Sequence, residues 1–152
     1  MPDIHTLLSP VDFSDASDHA LDYAIDLAFK LGARVHIIHV WQPPTYALAD
    51  GIFIPPGDYL SNYMLDLQEQ LDKCVARYAD RGVTLQGNLI EGVPYTTIIQ
   101  TAQEIQADLI VMGTHGRTGL THALVGSVAE KVVRLAPCPV LVTRGATEDA
   151  TA

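Results

Sequence analysis

The sequence predicts an α/β domain built as an open, doubly wound five-stranded parallel sheet with helices on both faces, a Rossmann-like arrangement. Five short runs rich in Val, Ile and Leu are nearly continuous in apolar residues, as strands covered on both faces of a parallel sheet must be. Segments of helical period lie between them, so strand and helix alternate along the chain. A length of 152 residues with 48% hydrophobic content suits one domain that buries its own core and leaves no room for a second.

The first strand is expected over residues 4–11. The helix after it shows the stripe Leu21, Ala24, Ile25, Ala28 and Leu31, with Ser14 or Ser17 as N-cap and Gly32 as terminator. The second strand covers residues 34–40. Across residues 41–58, Pro43, Pro44, Pro55, Pro56, Gly51 and Gly57 break any periodicity. So long a loop is uncommon in a compact domain, and it reads as a surface connection packed on the second helix or a partner subunit, or as a lid over a ligand. The second helix carries Leu60, Met64, Leu67, Leu71, Val75 and Tyr78 on one stripe and ends at Gly82. A third strand over residues 83–90 leads to a helix that opens near Pro94, a residue favoured in a first turn, and buries Ile98, Ile99, Ala102 and Ile105. The fourth strand covers residues 108–113. The last helix starts at Ser127, where Ser127-Val128-Ala129-Glu130 fits a capping box, and runs through Val132, Val133 and Leu135 until Pro137 and Pro139 stop it. The fifth strand covers residues 139–144. One domain therefore spans residues 1–144, and the tail 145–152 has nothing to bury and is expected to be disordered.

A formal charge of -9 works against loose binding to nucleic acid or anionic membranes, which both rely on a broad positive surface. A phosphate ligand would have to be held locally, by main-chain N–H groups, a helix N-terminus, one or two basic side chains or a divalent cation. Cys74 and Cys138 lie in no metal-ligand spacing and read as reduced, structural thiols. The N-terminus lacks the basic start and apolar run of a signal peptide, and no later stretch would span a bilayer, so a cytoplasmic location is expected.

In open α/β sheets ligands bind beyond the carboxyl ends of the strands, where strand order reverses. That rule selects the loop Ser9-Pro10-Val11-Asp12-Phe13-Ser14 and the loop that begins Gly113-Thr114-His115-Gly116-Arg117-Thr118-Gly119 and closes at Gly126-Ser127. The glycines let main-chain N–H groups approach an oxyanion, and Gly126 and Ser127 add the free amides and partial positive charge of a helix N-terminus. A plain alternative is that Gly113 and Gly116 only make a turn and Ser127 is an ordinary N-cap. No Walker loop, no Gly-x-Gly-x-x-Gly after the first strand and no Gly-x-Ser-x-Gly elbow occurs, so catalytic nucleophiles have no obvious home. His36 and His39 alternate to opposite faces of a strand, and His115 with His122 lacks a third ligand, so neither pair makes a metal site. Asp15, Asp18, Asp22 and Asp26 read as the solvated face of the first helix.

At Gly113-x-x-Gly116, nine intervening residues and Gly126-Ser127, the sequence resembles the ATP-binding branch of the universal stress protein family (UspA-like). The resemblance extends from Val11-Asp12-x-Ser14 to the closing Ala136-Pro137-Cys138-Pro139-Val140-Leu141-Val142. It implies a sheet of strand order 3-2-1-4-5 and an adenine nucleotide, ATP or else ADP or AMP, with Mg²⁺ as a further candidate. Pro10, Val11 and Asp12 would border adenine and ribose, with the Asp12 carboxylate on the sugar or near the metal. Val40 would offer main-chain groups to the adenine edge, Met112 and Gly113 would line base and ribose, and Gly116, Gly126, Ser127 and Val128 would hold the phosphates. His115 and Arg117 are carried as candidate phosphate contacts. The resemblance also implies a homodimer through the last strand, Val140 to Arg144, with a higher oligomer and a regulatory partner protein as further expectations. Three functions are compatible with it: a nucleotide-dependent regulatory module of the stress response, a slow ATP hydrolase or phosphotransferase, and an interaction protein of the same fold that binds no nucleotide.

Overall fold

A computed structural model describes residues 2–114 and 125–145. In chain order the elements are β1 (Thr6–Pro10), α1 (Asp15–Leu31), β2 (Arg34–Trp41), β3 (Tyr46–Leu48), β4 (Gly51–Phe53), α2 (Gly57–Ala76), β5 (Leu85–Glu91), α3 (Pro94–Glu104), β6 (Leu109–Gly113), α4 (Ser127–Leu135) and β7 (Val140–Thr143). The main sheet runs β5-β2-β1-β6-β7, parallel throughout. Leaving the β3–β4 hairpin out of the count, this is the predicted order 3-2-1-4-5.

Alternation along the strands divides the core in two. Leu7, Val35, Ile37 and Val111 meet Leu21, Ala24, Ile25 and Ala28 of α1 and Leu71 and Cys74 of α2 on one face. Leu8, Ile38, Ile110 and Met112 meet Ile98 and Ala102 of α3 and Ala129 and Val132 of α4 on the other. At the start of α1, Ser14 is the N-cap, its hydroxyl accepting from Ser17 N at 3.2 Å, and Gly32 ends the helix at φ 66°. Among the described residues no helix is long and apolar enough to cross a membrane.

Several expectations need correction. Residues 41–58, expected as one long loop, hold an antiparallel hairpin, β3 with β4. The buried stripe of α2 begins at Leu67 and runs through Leu71 and Cys74, with Tyr78 buried just beyond the helix, while Met64 is exposed. The helix ends at Ala76, with turns at Arg77 to Asp80 before Gly82. The cap of α4 is Gly126 and not Ser127, and Val133 and Leu135 lie on its exposed side, opposite Ala129 and Val132. Nor are the acidic residues of α1 simply solvated. Asp18 pairs with Arg77 at 3.4 Å, Asp26 pairs with Arg81, and Asp22 accepts the Tyr78 hydroxyl at 2.5 Å. Burial, reinforced by that bond to Asp22, pushes the Tyr78 phenol well above its ordinary pKa. Three carboxylates of α1 thus hold the chain that leaves α2. Of the predicted tail only Gly145 falls within the described residues.

Candidate functional site

Strand order reverses between β1 and β6, where β2 continues the sheet to one side and β7 to the other. A cavity of about 210 Å³ opens there beyond the strand ends, in the position that open α/β sheets use for ligands. Pro10, Val11, Asp12, Val40, Met112, Gly113, Gly126, Ser127 and Val128 line it together. His115, Gly116 and Arg117 lie outside the described residues.

The β1–α1 loop is held from several sides. Val11 N donates to Ile38 O at 2.8 Å, so the loop continues the β1–β2 ladder past its last strand residue. Nδ1 of His39 sits 2.7 Å from the Val11 carbonyl oxygen, and the His39 ring lies 4.5 Å from that of Phe13. Phe13 has φ 64°, a left-handed conformation that an aromatic residue adopts only when its surroundings impose it. The Asp12 carboxylate accepts from the main-chain N of Ser14 at 3.0 Å and from its hydroxyl, while Asp12 N donates to Ser17 Oγ at 3.2 Å. One short loop therefore ties its carboxylate to the helix cap.

At the far wall, β6 ends on Gly113. A Cβ there would stand 2.8 Å from the carbonyl oxygen of Ala16 and 3.0 Å from its carbon, so the first turn of α1 rests directly on this glycine. Thr114 then fastens two elements. Its N donates to Thr143 O of β7 at 3.0 Å, and its carbonyl accepts from Gly126 N at 2.5 Å. The Gly126 amide, expected to be free for a ligand, is thus engaged with Thr114. The anion-attracting end falls one residue later, at the first N–H groups of α4, which no side chain caps among the described residues.

Ser17, Pro94, Ile98, Thr114 and Ala129 also line the cavity and were not singled out from the sequence as site residues. Pro94 and Ile98 carry the same signal as core positions of a helix. Only the placement of α3 beside α4, over the face where β2 meets β5, makes its first turn a cavity wall. Val11, Val40, Ile98 and Met112 give the cavity apolar walls, and Asp12 is the one carboxylate among the described lining residues. The first amides of α4 on its described wall suit an anion.

A family model described as "Universal stress protein family" matches residues 3–144. Universal stress protein MJ0531 of Methanocaldococcus jannaschii is 39% identical over 140 residues, covering 91% of this chain and 81% of its own. Among solved structures, the universal stress protein UspA from Lactobacillus plantarum superposes with a TM-score of 0.75 at 28% identity, covering 95% of this chain and all of the other (100%). The universal stress protein from Archaeoglobus fulgidus in complex with dAMP shares the fold at a TM-score of 0.65 and 22% identity, covering 93% of this chain and 98% of that one. Sheet order, the cavity at its reversal and a family match through nearly the whole sequence agree, and this chain belongs to the universal stress protein family.

Proposed function

We propose that this chain binds an adenine nucleotide, ATP or its products ADP and AMP, in the cavity between β1 and β6, and acts as a nucleotide-dependent dimeric regulatory module in the cytoplasm. One observation carries the reading: the β1–α1 loop, the end of β2 and the uncapped start of α4 converge on one cavity at the reversal of strand order. Its apolar walls, Val11, Val40, Ile98 and Met112, suit a purine, and Asp12 suits a sugar hydroxyl. Phosphates leaving the ribose would run toward Ser127 and Val128 at the positive end of α4. The dAMP bound to the Archaeoglobus fulgidus protein supports the same ligand class here.

With a single carboxylate on the described walls, a Mg²⁺ ion would take most of its ligands from phosphate oxygens and water. Asp12 is the candidate general base among the described lining residues, and the binding-module reading requires none. Dimerisation through β7 has support in its chemistry: an edge strand of half-buried Val140, Leu141 and Val142 with its outer ladder groups open. Cys74 and Cys138 pack on opposite faces of the sheet, cannot pair, and suit a reducing compartment.

Calorimetry with ATP on the purified chain and on Gly116→Val tests the reading. Binding by the parent and its loss in the variant, with circular dichroism unchanged, is the expected result. Equal affinity in both would remove the glycine loop from the site. Rapid phosphate release abolished by Asp12→Ala would make the protein an enzyme.

A further inference from the structure

Away from the cavity, one side of the molecule carries large apolar side chains that nothing in the described chain covers. Leu48, Ile52, Phe53 and Ile54 are 60%, 76%, 45% and 62% exposed. The surface continues onto α2 through Tyr59, Met64 and Leu65, all exposed. The hairpin and the start of α2 adjoin: the Phe53 and Tyr46 rings lie 6.4 Å apart, and the Tyr46 hydroxyl is a neighbour of that of Tyr59. None of its residues lines the cavity at the sheet reversal, so the hairpin is no lid among the described residues.

An isolated two-stranded ribbon is marginal in water, and each strand of this one has an open edge, since β3 pairs only with β4. Charge selects what would cover it. Residues 41–72 contain Asp50, Asp58, Asp66, Glu69 and Asp72 and no Lys or Arg; the next residue, Lys73, is taken by Glu69 at 2.7 Å. A second copy of the chain would bring the same carboxylates against these, and like charges across an interface are costly. A strand from another protein with alternating apolar and basic side chains meets each demand. Its main chain completes a hairpin edge, its apolar side chains cover Ile52 and Phe53, and its cations face Asp50, Asp58 and Asp66.

We infer that the β3–β4 hairpin with the first turns of α2 is a docking surface for an extended, basic and apolar segment of a partner protein, added to the hairpin as a third strand. This surface stands apart from the nucleotide reading. The probe is a fluorescein-labelled nine-residue peptide alternating Val and Lys, with a Val–Glu counterpart, titrated into the full chain at low salt and followed by anisotropy. Saturable binding of the Lys peptide is expected, weakened at least about tenfold by Ile52→Ser with Phe53→Ser, and similarly by Asp50→Asn with Asp58→Asn and Asp66→Asn. All five positions are exposed, and circular dichroism checks that the fold is kept. Absence of binding, equal binding of the Glu peptide, or Lys-peptide binding indifferent to the Ser pair would overturn the inference. So would sedimentation showing a dimer that the Ser pair dissolves, since the occupant would then be a second copy.

Discussion

The imidazole of His39 on β2 anchors the β1–α1 loop, its Nδ1 held 2.7 Å from the carbonyl oxygen of Val11 while its ring lies against Phe13. A ring nitrogen at that distance donates to the carbonyl, which fixes the tautomer and anchors the loop that carries Asp12. Replacing His39 by Phe keeps a ring against Phe13 and strands the Val11 carbonyl in a buried position. The expected cost is about 1–3 kcal/mol in urea denaturation, together with weaker ATP binding by calorimetry. Unchanged stability would mean that the Ile38 bond to Val11 holds the loop unaided.

Gly113→Ala is expected to destabilise the fold by about 1–3 kcal/mol, because the new methyl meets the Ala16 carbonyl and α1 must lift off β6. The strain is steric and not a matter of backbone conformation, so Gly113→Ser should do no better. Thermal unfolding of both variants measures it, and a parent-like midpoint for either would show that α1 gives way freely.

Much of this was legible in the sequence because it was written in local pattern. The apolar runs marked the five sheet strands, Ser14 and Gly32 marked both ends of α1, and the glycines with Asp12 marked the cavity. The hairpin was not legible, since three-residue strands exposed on both faces show no alternation of apolar and polar residues. Ser127 misled for a different reason. The capping-box pattern is present and the helix starts at Ser127, but the cap is Gly126, whose amide is bound to Thr114, and Glu130 faces Arg134 at 3.7 Å instead of reaching back. Partners such as Arg77 and Arg81 for Asp18 and Asp26 lie far away in sequence, where no periodicity reports them.

His36 should make stability depend on pH near neutrality. Burial, and secondarily the charge of Arg34, lowers its pKa below the ordinary 6.5. The folded state therefore binds a proton less readily than the unfolded chain. This contribution is fully present above pH 6.5 and is lost as pH falls from there through the lowered folded value. His36→Gln should flatten the fall of the unfolding midpoint over that window. An identical slope in parent and variant would exclude His36 as its source.

Asp108 should act at lower pH. Its carboxylate accepts from the main-chain N of His5 and of Thr6, both at 2.9 Å, and these bonds hold its pKa below the ordinary value. A depressed carboxyl contributes stability above its unfolded pKa and loses it as pH falls through the folded one. Asp108→Asn should cost about 1 kcal/mol at neutral pH, a modest figure because the group is partly solvated. The difference between parent and variant should shrink on acidification, as guanidinium titrations at several pH values would record. A gap that stays constant into acid would assign the loss to shape and not to charge.

Thr114 closes the chain back on itself, with Thr143 on one side and Gly126 on the other. The start of α4 is accordingly referenced to the sheet, because the residue that holds the Gly126 amide is itself bound to β7. A change that displaces the end of β6 would therefore carry with it the helix end that faces the cavity.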